Sequence, residues 1–245
     1  MSSASPWTRG EPLTAAHRER LVGLGADPDV LGTLDLRAVG DPLPSWWHEG
    51  RNALYLTEDA VLSPTLVERM AYYPFSDVLL VVASDLTNVV SLLLGGDEAT
   101  VHFGPRIELT AGEVYCGARS AVILDGQVVG TRCPMIDARN GGAVVAAWDQ
   151  LWAANAYLAT DDMHRLESVE TGERINPYGA TIRLGRHIWL GRDAIVTGHV
   201  EIGDGAVVGA RSLVRGQKVP ARTAVAGTPA RVIREGVTWS GDDTP

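Results

Sequence analysis

Two cysteines in 245 residues, Cys116 and Cys133, are too few for a disulfide framework. A reduced, cytoplasmic compartment is the simpler reading, with both thiols structural. Basic blocks are missing too: 21 Lys and Arg stand against 30 Asp and Glu, a net charge of −9. That balance argues against a surface that reads nucleic-acid phosphates or anionic membranes. The first ten residues lack a continuous apolar run, so no signal peptide is read. The most apolar stretch, Val78 to Leu94, is broken by Ser84, Asp85, Thr87, Asn88 and Ser91. It is too polar to span a bilayer. With 27 Gly and 13 Pro the chain is not of low complexity. What remains is 45% hydrophobic, enough for one large domain with an appendage.

What is present is a repeat. From Ile182 the chain reads IRLGRH, IWLGRD, AIVTGH, VEIGDG, AVVGAR, SLVRGQ, consecutive hexads without a gap. The third positions are Leu184, Leu190, Val196, Ile202, Val208 and Val214. The first are Ile182, Ile188, Ala194, Val200, Ala206 and Ser212. One aliphatic residue every six positions suits neither an α-helix nor a simple alternating strand. It suits a coil with three short flat sides, the aliphatic residue inward and glycine at the corners, where unusual backbone angles are expected. Three hexads make a coil, and coils stack at roughly 4.8 Å.

Upstream the pattern is looser. Val78 to Val82 reads as a buried strand, and Val101, Phe103, Ile107 and Leu109, then Val122, Ile123, Val128 and Val129, read as further, irregular coils. Residues 76–233 are therefore assigned to the β-helix. Between Thr160 and Ala180 the register fails in a polar, Gly- and Pro-containing stretch, so residues 161–180 are an inserted loop. Residues 1–75 differ: 14–25 and 58–73 look helical, and 41–50 is a Pro-rich connector. They are assigned as a mostly helical segment, packed on the end or side of the coil either as a cap or as an acceptor-specificity element. Residues 234–245 are assigned as a tail, frayed over its last residues.

His164, in the polar loop, has an unperturbed pKa near neutral and could act as a general base, or it is a bystander on a solvated loop. Asp162 or Asp161 could orient it.

The repeats resemble the hexapeptide-repeat acyltransferases, an all-β family built as a left-handed parallel β-helix. The left hand comes from the resemblance alone, since the general crossover rule favours a right-handed connection. Members that acetylate sugars and polyketides carry S-x-D-x-H followed by T-G-x-R-I-N-P. Here Thr160-Asp161-Asp162-Met163-His164 and Thr171-Gly172-Glu173-Arg174-Ile175-Asn176-Pro177 are similar to both. The resemblance places His164 as the catalytic base; Asp162 is assigned as its partner, and Asp161, Arg174 and Asn176 are assigned near the acceptor. Relatives often carry Asp four residues after the base, where this chain has Ser168 beside Glu167.

Arg186-His187-Ile188-Trp189-Leu190-Gly191 is similar to the family's H-V-W-I-G. The resemblance implies that Trp189, at an outward hexad position, lines an inter-subunit cleft for a pantetheine arm. His187 reads as a structural corner residue. The stretch Lys218 to Arg234, with Gly227-Thr228-Pro229-Ala230-Arg231, resembles the family's C-terminal motif with Thr in place of Asn at 228. It implies coenzyme phosphates held by Arg215, Lys218, Arg222 and Arg231, and pantetheine amides held by backbone at Gly209, Ala210, Ala226 and Gly227.

The expectation is an enzyme using acetyl-CoA or another acyl-CoA, without metal, as a homotrimer. Its acceptor is a small-molecule hydroxyl on a sugar, polyketide or antibiotic-like compound. No nucleophile is evident, so transfer is direct. The alternatives are N-acyl transfer to an amino sugar, a zinc protein like the γ-class carbonic anhydrases using His102, His164, His187 or His199, and a non-catalytic scaffold.

Overall fold

A computed structural model describes residues 9–40, 43–176 and 178–242; Pro177 of the loop motif and part of the Pro-rich connector lie outside them. Among the described residues the strands form three sheets of ten, seven and six strands, here faces 1, 2 and 3. The chain visits the faces in the same order on each turn, and successive turns pair in parallel. On face 1, Thr100–Phe103 pairs with Ala121–Leu124, that with Ala143–Ala146, then Thr181–Leu184 and Val200–Ile202. The result is a parallel β-helix with three corners.

The hexad reading accounts for its interior. All six third-position residues, Leu184 to Val214, and all six first-position residues, Ile182 to Ser212, are buried. Alternation makes this happen: first and third positions of a short strand point the same way, so both enter the coil. One aliphatic cluster runs the length of the solenoid, with Phe103 and Trp152 as its large members.

Glycine has two roles: Gly198, Gly205 and Gly216 supply positive φ at corners as expected, and the fourth-position glycines do something else. The fourth-position glycines do not need positive φ. They lie under the next turn, and a Cβ on Gly191 would stand 2.6 Å from the Ala210 nitrogen, one on Gly203 2.6 Å from that of Ala221. Coils cannot stack at strand spacing with a methyl group there. Other positive φ angles of the corners fall on non-glycine residues, among them His187, Asp193 and Arg211.

The coils from 76 to 160 pair in parallel ladders, with one register shift between Val89 and Ser91 where Val89–Gly95 meets Gly112–Gly117. The solenoid also starts earlier than residue 76. Strand Ala53–Leu56 already runs parallel to Leu79–Val82, and Arg37–Val39 and Arg9–Pro12 extend face 1 further by antiparallel pairing. The first 75 residues therefore contribute strands as well as four short helices: α1 (Ala15–Leu24), α2 (Pro28–Gly32), α3 (Ser45–Glu49) and α4 (Pro64–Met70). α1 is capped by Thr14, whose hydroxyl accepts the His17 N–H at 3.2 Å, and ends on Gly25 at φ 111°. Leu21 and Leu31 from α1 and α2 pack on Leu79, Val81, Ile123 and Val145, the outward side chains of face 1. The N-terminal segment thus covers one face of the coil rather than only its end. No described helix is long and apolar enough to cross a membrane.

Candidate active site

The loop leaves face 3 after Tyr157–Ala159 and re-enters face 1 at Thr181–Leu184. It folds on itself as a hairpin. Leu166 accepts from the Ile175 N–H at 2.9 Å, and Glu173 from the Ser168 N–H at 2.8 Å. The turn between them uses Gly172 at φ 67°. Asn176 is buried and braces the root. Its carbonyl accepts the Leu166 N–H at 2.9 Å, and its amide donates to the His164 carbonyl at 2.8 Å and lies 3.4 Å from an Asp162 oxygen. Asp161 is buried below, accepting the Gly179 N–H at 3.3 Å, and burial raises its pKa. Arg174 donates to the Asn176 carbonyl at 2.7 Å and lies over the Tyr178 ring at 3.5 Å. Asp161 and Asn176 are thus occupied in holding the loop, and Arg174 partly so.

His164 stands exposed at the open side of this loop. Its backbone is fixed by Asn176, while its ring has no hydrogen-bond partner among the described residues. The local carboxylates point elsewhere: Asp162 toward Asn176 and Arg215, Glu167 to Arg165 at 2.7 Å. The pairing of Asp162 with the His164 ring is not made within one chain.

The second group of expected residues lies elsewhere. Trp189, in Ile188–Leu190 on face 2, points outward and is 39% exposed. Gly209 and Ala210 form the corner between faces 2 and 3; Ala226 and Gly227 end a face 2 strand, and Arg231 lies on the outermost one. Gly209 and Gly227 are not free donors, because their N–H groups go to Val225 O at 2.8 Å and Ser212 Oγ at 3.0 Å. Ala210 N–H finds no internal acceptor among the described residues. Lys218 pairs with Glu201 at 2.7 Å on face 1. Arg215 ends a face 3 strand, beside the base loop rather than beside Trp189. In a three-sided coil the corner between faces 3 and 1 lies opposite face 2. His164 and Trp189 of one chain therefore look in opposite directions.

No family model matches the chain. Galactoside O-acetyltransferase of Escherichia coli strain K12 is 40% identical over 58 residues, 24% of this chain and 28% of that protein. Polysialic acid O-acetyltransferase of Neisseria meningitidis is 25% identical over 134 residues, 46% of this chain and 62% of that protein. The chain thus spans less than two thirds of the length of these curated relatives. Among solved structures, the polySia-specific acetyltransferase NeuO superposes with a TM-score of 0.59 at 21% identity, over 69% of this chain and 77% of that one. The chain has the left-handed β-helix fold of the hexapeptide-repeat acetyltransferases.

On this hexapeptide-repeat scaffold two features escape motif reading. Trp239 stacks flat on the His187 ring, centroids 4.2 Å apart, and donates to the His187 carbonyl at 2.9 Å. His187 in turn meets Asp149 Oδ2 at 2.7 Å, so its corner role is structural. The expected tail is therefore a docked strap as far as Trp239, preceded by strand Ala230–Glu235. A tryptophan in a polar tail is the one signal for this, since its large apolar surface favours docking. The second feature is His199, which shares a cavity of about 280 Å³ with Asp161, Asp162 and Arg215. Cys116 is buried, which pushes its thiol up to about 12 and keeps it from acting as a nucleophile.

Proposed function

We propose that the chain is an acyl-coenzyme A-dependent O-acyltransferase, with acetyl-CoA the preferred donor, acting on a hydroxyl of a sugar or small natural product. The observation that carries this reading is the braced loop, which holds His164 exposed where a hexapeptide coil is interrupted. A neutral imidazole there accepts the proton of the acceptor hydroxyl. The freed oxygen attacks the thioester carbonyl, the new C–O bond forms, and the C–S bond breaks. The thiolate leaves with the proton returned from His164. A backbone N–H stabilises the oxyanion, and Ala210, whose N–H has no acceptor among the described residues, is a candidate donor.

Because His164 and Trp189 face opposite ways, the working site is placed between neighbouring copies in a homotrimer. The relatives named for galactoside and polysialic acid put sugars first among acceptors to screen. The zinc reading is weakened by donor placement. His187 and His199 lie on different corners, and no three metal-binding side chains converge among the described residues.

Release of free thiol from acetyl-CoA on addition of sugar acceptors tests the activity. His164→Ala is expected to lower kcat by roughly 10²–10⁴-fold, while acetyl-CoA binding measured by calorimetry persists. Unchanged turnover in that variant would remove His164 from the mechanism.

A further inference from the structure

Beneath the base loop, the cavity of about 280 Å³ has walls from three levels of the coil: Thr160, Asp161 and Asp162 from the loop root, Thr197 and His199 one turn below, and Arg215 two turns below. The column is set by strand register. Tyr157 pairs with Ile195 and Ile195 with Leu213, so Arg215 starts two turns below the root of the loop. Turns are spaced by about 4.8 Å, and its long side chain spans that gap toward Asp162. It stops 3.9 Å short, and the guanidinium has no hydrogen-bond acceptor among the described residues. Its side chain is 62% exposed.

One hydrogen bond selects the tautomer of the neutral His199 ring. Its Nδ1 lies 3.2 Å from the Thr181 backbone nitrogen, which can only donate. Nδ1 is therefore the acceptor nitrogen, and in the neutral ring the proton sits on Nε2. That N–H has no partner among the described residues. Gly216, between the two, adds no side chain, and a Cβ there would meet nothing within 4 Å.

The two acids of the cavity are turned to the loop, Asp161 to the Gly179 N–H and Asp162 to Asn176. The groups left open are two donors, a guanidinium and an imidazole N–H, and one buried acceptor, Asp161 Oδ1, which suits a sugar hydroxyl. Donors without acceptors fit a ligand that brings a carboxylate, because a guanidinium fork and a carboxylate make two parallel charge-assisted hydrogen bonds. His199 Nε2–H then serves a neighbouring hydroxyl or ring oxygen.

We infer that this cavity is an acceptor subsite for a carboxylate-bearing sugar, with Arg215 gripping the carboxylate and His199 donating to the ring. This deepens the acyltransferase reading and rests on it. Arg215 then belongs to the acceptor rather than to the coenzyme phosphates.

The test is a calorimetric titration of the full chain with methyl glucuronide and, separately, with its uncharged methyl ester; sialic acid and its methyl ester form a second pair. At least one acid is expected to bind at least about tenfold more tightly than its ester. Arg215→Gln should erase that difference, and His199→Leu should weaken acid and ester alike. Equal affinity of acid and ester in both pairs, no binding of either acid, or discrimination that survives Arg215→Gln overturns the inference. Arg215 is exposed, so its replacement leaves the coil intact. Because binding is read directly, these outcomes are separate from thiol release. Turnover of neutral sugars without acid preference would sink the subsite and leave the acyltransferase, whereas absence of thiol release with every acceptor would sink the acyltransferase.

Discussion

His102 occupies an environment far from its ordinary one. It is fully buried on strand Thr100–Phe103, and neither ring nitrogen has a partner among the described residues. Alternation sends Val101 and Phe103 into the coil and turns His102 outward, between Val81 and Ile123, where α1 and α2 cover the face. Arg20 of α1 donates to the adjacent Thr100 hydroxyl at 2.7 Å. Burial lowers the pKa of His102 to about 4 from 6.5. The unfolded chain therefore takes up this proton first. The contribution of His102 to stability is whole above pH 6.5 and is lost as the pH falls toward 4, by up to about 3 kcal/mol. Asp125 opposes it: burial raises its pKa to about 6, so the folded chain binds that proton first and gains stability as the pH falls below 6. Replacing His102 with Leu is expected to raise the melting temperature relative to the native chain by an amount that grows from pH 7 to pH 5. A difference constant over that range would show that His102 is not the titrating group.

At the scale of elements, the strap after Ala230–Glu235 is held by few contacts, and Trp239 makes most of them. The ring stack on His187 and the 2.9 Å hydrogen bond to the His187 carbonyl fasten it to the corner between faces 1 and 2, and Val237 N–H reaches the Arg222 carbonyl at 2.9 Å. Trp239→Ala removes the stack and the indole donor, at a cost of about 1–3 kcal/mol. Limited proteolysis with mass spectrometry should then cut within residues 236–242 well before the coil is attacked. A cleavage pattern identical to that of the native chain would refute the docking. The loop is the contrasting element. It is braced inside by Asn176 and its own hairpin, so its order does not depend on a distant partner.

For the whole molecule, the three-sided cross-section decides how the site is assembled. The base loop stands at one corner and Trp189 on the opposite face, so a site that uses both needs two chains. Chains carrying His164→Ala and chains carrying Trp189→Ala, each inactive alone, should regain about a quarter of native activity when mixed and refolded together. In a closed ring of random composition, a quarter of the boundaries join an intact His164 to an intact Trp189. A mixture as inactive as its parents would place the whole site within one chain. Sedimentation of the native chain as a monomer would do the same.

The amino-acid sequence by itself determined the coil. A buried aliphatic residue at the third position of each hexad and glycine at four of the six fourth positions favour a stacked coil, and both are local, periodic properties. It also marked the loop, because 161–180 breaks that period, and it singled out His164 within it. The tertiary structure decided what depends on contacts far apart in the chain. Strands 37–39 and 53–56 extend face 1 at its edge, while α1 and α2 cover its outward apolar side chains. Asn176 and one oxygen of Asp161 brace the loop, although both residues were expected near the acceptor. Trp239 closes over a corner that lies 52 residues earlier. Which side of the coil each catalytic or binding group occupies was likewise settled by stacking, because hexad position gives a residue its place on a turn and only the closed triangle turns that place into a direction.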